Sequence, residues 1–527
     1  MTEKMLVLAS LLAGVVLAVA ESSHCCSALE TAGLAERLIY PGYEAYDIQV
    51  NKYFSTSARL TPSCFPRPEA ATEVSIAVTA LVEANKTQPC QFAVRSGGHM
   101  HYAGAAGIES GVTIDLGKMN DVVVNFVQNG TISVGPGAVW GDVYDTLDKM
   151  AFMVVGGRSY SVGVAGLILG GGNSYFAARE GLACDNVAEF EVVLADGSIV
   201  TANKHENVDL HQAFKGGGPN FGIVTRVHLV AYPGGDVFGG LMLYPESTAQ
   251  QQFEALLNYG DKIEQDPFDS AIVIEMYLSA MKVPLFMNAY EYTAPVQHPA
   301  VFEEFFAIPG NISDTTGIRN MTSLARELEQ QKTHRVQFST LTFKNDIRVL
   351  QKAHELFKQV VAILEEKATG DYSLMTLYQP IPRIFGQIGK VKGGNVSALD
   401  RFDETLLMYE PYIAWQDSSQ DELFEGQARW LRDQLSAYAK DIDADNELLY
   451  LDYADISQNP LASYGRENVE KIRAAAQKYD QVGVFQQMMP GAFKISRVSS
   501  LRWSCSNTNG ANPVQVAHDQ SAAHDEL

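Results

Sequence analysis

The segment Val94-Arg95-Ser96-Gly97-Gly98-His99-Met100-His101 decides the fold, because it ends a short strand in two glycines and a histidine. Glycine has no Cβ, so the backbone can approach a ligand closely at this point. Consecutive backbone N–H groups in such a turn can also face an anion such as a pyrophosphate. Taken alone, the segment fits equally well a plain Gly-Gly turn that ends in a solvent-exposed histidine.

Two further glycine clusters follow along the chain. One runs from Gly156 to Gly166 and continues into Gly170-Gly171-Gly172-Asn173, and the other runs from Gly216 to Gly222 and opens into a strand. Neither has the G-x-G-x-x-G spacing after a first strand that is typical of a nicotinamide dinucleotide site. Three separated clusters predict a long ligand that spans the domain, and FAD has that size.

The order of the segments indicates an α+β protein of two domains, as expected for a chain of 527 residues. Short strands, short helices and many glycines occupy residues 65–232, the predicted FAD-binding domain. Pro233-Gly234-Gly235 marks a boundary. Longer strands alternate with amphipathic helices over 236–446, which predicts a substrate domain whose sheet is covered by helices on one face. Residues 447–503 return to the first domain.

Both ends of the chain carry targeting patterns. Residues 1–20 combine Lys4, an apolar run and the ending Ala18-Val19-Ala20, which is typical of a secretory signal peptide and short for a membrane span. The polar stretch 504–527 ends in His524-Asp525-Glu526-Leu527, the retrieval signal of soluble endoplasmic reticulum proteins. We therefore expect a protein retained in the endoplasmic reticulum lumen, with the retrieval receptor as a partner.

The net charge excludes two classes of partner, and the glycosylation sequons agree with that compartment. A formal net charge of -23 argues against a nucleic-acid or anionic-membrane partner. N-glycosylation sequons begin at Asn85, Asn129, Asn311, Asn320 and Asn395.

The six cysteines predict disulfides near the N-terminus, since an oxidising lumen favours pairing. Cys25, Cys26, Cys64 and Cys90 cluster there, but the sequence does not choose among their pairings. Cys184 lies in an apolar stretch, as a buried free thiol would. No C-x-x-C pair occurs, and His99 and His101 have no third ligand at a suitable spacing, so we expect no metal site.

With two C-terminal motifs, these segments resemble the vanillyl-alcohol-oxidase-type flavoproteins, and most of all fungal members of the berberine-bridge-enzyme-like group, which carry a PCMH-type FAD-binding domain. The resemblance covers about Cys64 to Ile495. It implies a two-domain α+β fold in which the sheet of the substrate domain forms a roof over the flavin. The matching segments, in the family's order, are Phe92 to His99, Gly157 to Gly172, Gly216 to Thr225, Tyr450 to Tyr453 and Lys478 to Phe485.

The resemblance also assigns the cofactor site. It implies a covalent bond from His99 to the 8α-methyl carbon of FAD. Many relatives have a second, cysteinyl tether where this chain has Ser159, so we expect a single histidyl link. A valine at the position of Val162 goes with oxidase behaviour and favours O2 as the electron acceptor. The other residues expected to bind FAD are Arg95, Ser96, Gly97, Gly98, Gly104, Ser161, Gly163, Gly166, Gly171, Gly172, Asn173, Gly222 and Ile223.

The catalytic base is expected in a strand at Leu448–Asp455. The family often uses a tyrosine of a Tyr-x-Asn-Tyr strand, which maps to Tyr453, with Asp452 in place of the asparagine. Strand alternation would put Asp452 and Tyr453 on opposite faces, so that one of them faces the flavin. A tyrosine pKa lies near ~10 and would need to be shifted or assisted. Further candidates on predicted strands of the substrate domain are Glu275, Tyr277, Tyr378 and Gln379.

The resulting hypothesis is a two-electron oxidation of a small organic substrate, a secondary metabolite, with hydride transfer to flavin N5 and reduction of O2 to H2O2. One alternative is a carbohydrate oxidase, which would usually carry the second tether that Ser159 lacks. Another is a FAD-containing scaffold that guides a cyclisation without net redox. A third is an enzymatically silent lumenal binding protein, and intact His99 and Val162 speak against it.

Overall fold

The structure, a computed structural model, describes residues 23–125, 130–330 and 332–499. The signal peptide expected at 1–20, the sequon at Asn129, Cys505 and the tail 504–527 with its retrieval signal lie outside the described residues and stay predictions. Within the described part of the chain, no helix is both long enough and apolar enough to cross a membrane.

Two disulfides fasten the N-terminal arm to the first domain. Cys25 bonds to Cys90 and Cys26 to Cys64, so the structure chooses the pairing that the sequence left open. Cross-links of this kind stabilise a fold mainly by restricting the unfolded chain. Cys184 is free and buried, as its apolar surroundings predict. The helices of the arm are His24–Leu29 and Glu44–Val50.

The first domain contains two small sheets besides a short pair in the arm. Its strands and those of the arm are β1 Leu38–Ile39, β2 Phe65–Pro66, β3 Phe92–Arg95, β4 Val112–Asp115, β5 Val122–Asn125, β6 Thr131–Val134, β7 Phe152–Val154, β8 Val187–Val193, β9 Ile199–Asn203 and β10 Ile223–Pro233. β3 and β4 run parallel. The other sheet is antiparallel, in the order β5-β6-β10-β8-β9 with β7 beside β10. The helices are Ala71–Asn85, Trp140–Leu147, Val164–Leu169, Ala177–Glu180 and Val208–Phe214.

The second domain is built on one antiparallel sheet, with ten strands among the described residues. They are β11 Val237–Pro245, β12 Asp269–Leu278, β13 Pro284–Tyr292, β14 Ser313–Asp314, β15 Gly317–Arg319, β16 Arg335–Phe338, β17 Leu341–Lys344, β18 Tyr372–Ile381, β19 Leu406–Trp415 and β20 Asp445–Asn446. Their order is β14-β11-β13-β12-β18-β19-β17-β20, with β15 beside β11 and β16 beside β19.

Long helices cover one face of this sheet. Side chains alternate along β18 and β19, so Tyr378 contacts Phe253 and Trp415 contacts Phe424 of these helices, with ring centroids 5.6 and 5.1 Å apart. The intervening side chains face the first domain. This confirms the predicted two-domain α+β fold with a sheet-plus-helices substrate domain. The helices are Ala249–Gly260, Glu303–Phe306, Met321–Glu327, Ile347–Lys367, Arg383–Val391 and Asp421–Asp441.

The C-terminal return corrects one prediction. The strand expected at Leu448–Asp455 is wrong, because Leu451–Tyr453 forms a 3₁₀ turn. The Tyr453 N–H bonds to the Tyr450 carbonyl, and the Ala454 N–H bonds to the Leu451 carbonyl, so these donors are used locally and not in a sheet. Asp452 and Tyr453 are therefore not sorted onto opposite strand faces. The helix Arg466–Tyr479 follows.

The described sequons differ in how accessible their amide nitrogens are. Asn311 and Asn320 are exposed. The side-chain oxygen of half-buried Asn85 accepts a hydrogen bond from the Cys90 N–H (2.8 Å), which leaves its nitrogen available. Asn395 differs, because its nitrogen donates to Asp185 (2.9 Å) and a glycan there would have to displace that bond.

Candidate active site

A cavity of about 770 Å³ lies between the glycine clusters of the first domain and the uncovered face of the large sheet. Its size falls within the usual range of ligand and cofactor sites, about 300–1,000 Å³. The structure thus brings three glycine clusters that are far apart in sequence to one wall. The predicted cofactor residues that line the cavity are Ser96, Gly97, Gly98, His99, Val162, Gly163, Gly166, Asn173, Gly222 and Ile223.

His99 reaches the cavity through a tight crossing of two backbones. A Cβ on Gly97 would lie 2.6 Å from the Cα of Gly163, so this approach requires glycine at both positions. Gly98 has a φ of +64°, the left-handed conformation that glycine adopts without strain. The His99 ring stacks on Phe54 with centroids 4.0 Å apart.

The ring of His99 has a nitrogen that is available for a bond to a cofactor. Its Nε2 atom is buried and has no hydrogen-bond partner among the described residues. Burial lowers the pKa of His99 to about 4, so the imidazole is neutral near pH 7. A buried polar atom without a partner costs free energy, which a bond to a cofactor would remove. The residue therefore fits a flavin attachment point.

The second glycine cluster leaves room for a cofactor. Apart from the backbone of its own helix and its chain neighbours, no atom of the described residues lies within 4 Å of the position that a Cβ on Gly166 would take, and Gly166 lines the cavity. A side chain there would occupy the space next to the wall. Gly170 is different, because the Asp452 carboxylate packs directly against it.

Several residues predicted to bind the cofactor lie outside the cavity lining: Arg95, Gly104, Ser161, Gly171 and Gly172. Gly104, Gly171 and Gly172 have φ values of +88°, +116° and +82°, so they serve turns of the backbone. The Ser161 N–H donates to Glu329 (2.9 Å), as does the hydroxyl of Ser159 (2.9 Å). These residues shape the segments that carry the wall.

Arg95 corrects the prediction most clearly, because its guanidinium is bound within the protein. It forms an ion pair with Asp115 (3.3 Å) and donates to the backbone and side-chain oxygens of Gln49 (2.6 and 3.1 Å). It also lies over the ring of Tyr53, 4.6 Å from the centroid. Arg95 is 1% exposed and supports the turn from beneath.

The roof of the cavity is the inner face of the large sheet and is mostly apolar. Phe338 and Tyr412 stack there with centroids 6.2 Å apart. A ligand that covers this surface gains about 25 cal/mol per Å² of apolar area removed from water. The other apolar side chains of the roof are Ile272, Ile274, Met287, Met375, Leu377 and Ala414.

A polar patch interrupts this roof at the centre of the sheet. Nη2 of Arg158 donates to Gln379 Oε1 (2.6 Å) and to the Tyr453 hydroxyl (2.7 Å). Burial raises the pKa of Glu410 to about 8, and Arg158 partly opposes the rise. Burial also raises the pKa of Tyr453 above its usual value, against the influence of Arg158. Near pH 8, therefore, Glu410 exchanges its proton while Tyr453 keeps its own.

Asp452 lines the cavity but is committed to neighbouring groups. The Tyr450 hydroxyl donates to it (2.8 Å), and the Asn173 N–H donates to that hydroxyl (2.6 Å). Burial raises the pKa of Asp452 to about 7. Its carboxylate thus links the C-terminal return to the second glycine cluster.

The other candidates for the catalytic base lie on different faces of the large sheet. Glu275 bonds to His354 (2.5 Å) and Tyr277 donates to Glu365 (2.8 Å), both on the helix-covered side. Tyr378 lies on that side as well, so none of the three faces the cavity. Gln379 joins the polar patch through Arg158.

Two polar residues of the patch were not predicted from the sequence, namely Glu410 and Arg158. A signal for Glu410 exists, since it is the lone charge within the otherwise apolar run Leu406–Trp415, and an acid in a buried strand needs a reason. Arg158 directly follows the pair Gly156-Gly157, where a glycine-rich loop draws attention away from its side chain.

His101 lies beside an aromatic ring and a carboxylate. Its ring lies 3.8 Å from that of Phe338, and its Nε2 lies 3.6 Å from Asp455. Among the residues that the structure describes, no group of three or more histidine, cysteine, aspartate or glutamate side chains could hold a metal ion.

Solved structures share this architecture. The BBE-like 1 protein of Physcomitrella patens superposes with a TM-score of 0.70 at 17% identity, covering 89% of this chain and 98% of that one. The xylooligosaccharide oxidase of Myceliophthora thermophila gives a TM-score of 0.70 at 19% identity, covering 90% and 99%. These similarities show that the chain shares its two-domain fold with both proteins.

Sequence relatives place the chain within a family. A family model described as a FAD binding domain matches residues 62–203. The FAD-dependent monooxygenase drtC of Aspergillus calidoustus is 38% identical over 479 residues, 90% of this chain and 91% of that protein. The FAD-dependent monooxygenase sdcF of Emericella nidulans is 40% identical over 479 residues, 90% and 99%. The chain belongs to this family of fungal FAD-linked oxidoreductases with a PCMH-type FAD-binding domain, which confirms the resemblance.

Replacing Gly166 by leucine should exclude FAD from the folded chain. The side chain would enter the cavity next to the wall, and overpacking of this kind costs about 1–3 kcal/mol, equivalent to a loss of affinity of about 5- to 150-fold. Visible flavin absorbance relative to protein absorbance measures the effect. Gly235→Leu is the matched control, because Gly235 also has no atom within 4 Å of its Cβ position but lies outside the cavity lining. Equal flavin content in both variants would contradict this placement of FAD.

Proposed function

We propose that the protein is a FAD-dependent oxidase that takes two electrons from a small, largely apolar secondary metabolite and reduces O2 to H2O2. The observation that carries the proposal is the cavity, in which an apolar roof surrounds the patch of Arg158, Glu410 and Tyr453. When bound, FAD would supply the electron acceptor, taking a hydride at N5 and passing the electrons to O2.

His99 and the glycine clusters would hold the cofactor. The unpartnered Nε2 and neutral ring of His99 support a covalent histidyl link. Ser159 is bonded to Glu329 and offers no thiol for a second tether, which supports a single link. Val162 lines the cavity, where by resemblance it would admit O2.

Glu410 is the favoured base in this proposal. Oxidation at a carbon that bears a hydroxyl or an amine requires a group that accepts a proton, and an effective base has a pKa near the working pH. Glu410 meets that condition and lines the cavity. Tyr453, whose hydroxyl keeps its proton, would donate a hydrogen bond that positions the substrate. Asp452 would support the wall through Tyr450.

The roof argues against a carbohydrate substrate. A sugar presents hydroxyl groups all round, and each needs a polar partner when it leaves water. The side chains of Ile272, Ile274, Met287, Met375 and Leu377 offer none. A FAD-containing cyclase scaffold would keep the cavity but would consume no O2.

We further propose that the protein is retained in the endoplasmic reticulum lumen. The disulfides Cys25–Cys90 and Cys26–Cys64 support an oxidising compartment. Removal of His524–Leu527 should release the protein into the medium, and continued retention of that truncated chain would contradict the proposal.

Substitution of His99 by alanine should convert a covalent flavin into a dissociable one. In-gel flavin fluorescence after denaturing electrophoresis reports the bond directly. We expect a fluorescent wild-type band and a dark band for His99→Ala, with flavin still present in the native variant. A dark wild-type band from a protein that releases flavin on denaturation would exclude the tether while leaving the oxidoreductase class intact.

Oxygen isotopes distinguish an oxidase from a monooxygenase, the name that the relatives carry. With labelled O2, we expect H2O2 to be released in a ratio of one to one with oxidised substrate, and no label in the organic product. Label in the product would establish monooxygenation. Turnover without O2 consumption would favour the cyclase scaffold.

The pH profile should follow the ionisation of Glu410. Its carboxyl must lose its proton to act as a base, so kcat/KM should rise with pH and level off above about pH 8. Glu410→Gln should lower kcat/KM by about 10²–10⁴-fold and remove this rise. Glu404→Gln is the control, because Glu404 is exposed just before the same strand. A Glu410→Gln enzyme with the wild-type profile would exclude Glu410 as the base.

A further inference from the structure

Arg158 is half-buried in the cavity wall, and the protein satisfies only part of its guanidinium. Both of its hydrogen bonds leave from Nη2, toward Gln379 and Tyr453, which are uncharged acceptors. Within the described part of the chain, no carboxylate oxygen lies within 4.0 Å of it, and Nη1 and Nε donate to no protein atom. Because Arg158 lines the cavity, these donors are available to a ligand there.

Arg95, by comparison, has its guanidinium bound within the protein. Arg95 is paired with Asp115 and bonded to Gln49. The other charged side chains of the cavity lining are also paired or bonded: Glu327 with Arg319, Glu329 with Lys332, His334 with Asp371, and Asp452 with Tyr450. Glu410 is treated above as the base.

The titratable groups around Arg158 do not neutralise it near pH 7. Burial raises the pKa values of Tyr453, Tyr175 and Tyr450, so all three keep their protons. Burial likewise raises the pKa of Glu291 well above its usual range and that of Glu410 to about 8. Near pH 7, where Glu410 mostly holds its proton, the patch therefore carries a net positive charge beneath an apolar roof.

A wholly apolar substrate could not fill this cavity without a penalty. It would displace the water around Nη1 and Nε and leave charged donors without acceptors, which costs more than the loss of a neutral hydrogen bond. A substrate that brings an anionic oxygen avoids that penalty and gains a charge-assisted hydrogen bond.

We infer that the substrate is an organic anion, an apolar framework with one carboxylate, phenolate or enolate oxygen that Arg158 binds. This inference deepens the proposed function and rests on it. Arg158 would fix the orientation of the framework beneath the roof, and Glu410 would then meet the carbon that is oxidised.

Calorimetric titration of the FAD-loaded protein with 2-naphthoate and with 2-naphthamide tests the inference. The two probes share size and shape and differ in charge. Hydrogen bonds to charged groups contribute about 1.5–3 kcal/mol, so we expect naphthoate to bind about tenfold or more tightly than naphthamide. Equal affinity, or no measurable binding of naphthoate, would overturn the inference even if the protein holds FAD and releases H2O2.

Variants assign the preference to Arg158. Arg158→Met should abolish the difference between the probes, and Arg158→Lys should keep a reduced one. Arg383→Met is the control, because Arg383 pairs with Glu264 away from the cavity and should leave the difference unchanged. A naphthoate preference that survives in a folded, FAD-loaded Arg158→Met protein would also overturn the inference. Loss of FAD from the wild type would instead refute the proposed function, while the heat of naphthoate binding could still be measured.

Discussion

The rest of the site depends on the contact between the backbones of Gly97 and Gly163. Each residue occupies the space that a Cβ of the other would need, so the two loops can meet only as glycines. That contact holds the turn that ends at His99 against the segment that carries Val162 and Gly166. This part of the cavity wall is thus formed by backbone without side chains, which explains why glycine occupies both positions.

The two faces of the large sheet have different roles in the second domain. On one face, Tyr378 and Trp415 pack against helices and stabilise the domain. On the other, Met375 and Leu377 are half-buried and Tyr412 is buried beside Phe338, and all three line the cavity as its roof. Alternation along the same strands therefore supplies both a core and a binding surface. A carboxylate at an even position of β19, Glu410, enters the cavity for this reason.

Much of this arrangement could be predicted from the sequence, because its signals are local. Paired glycines after a strand mark the wall of the cavity, and the histidine that follows them marks the attachment point. Long amphipathic helices mark the covered face of the sheet. The failures have physical reasons. Tyr450 and Tyr453 lie three residues apart, which matches one turn of a 3₁₀ helix and not the period of two of a strand. Arg95 lies two residues before Gly97 and Arg158 directly follows Gly157. Only their distant partners distinguish a structural cation from one that faces a ligand.

The disulfide Cys26–Cys64 has an effect at a distance from its own position. It closes a loop that contains Phe54, whose N–H bonds to the Gly98 carbonyl (3.1 Å) and whose ring stacks on His99. The Phe54 ring that packs on the imidazole of His99 therefore lies in a loop that a disulfide closes. The covalent closure of the arm thus limits how far the Phe54 ring can move away from His99, although neither cysteine touches the cavity site itself.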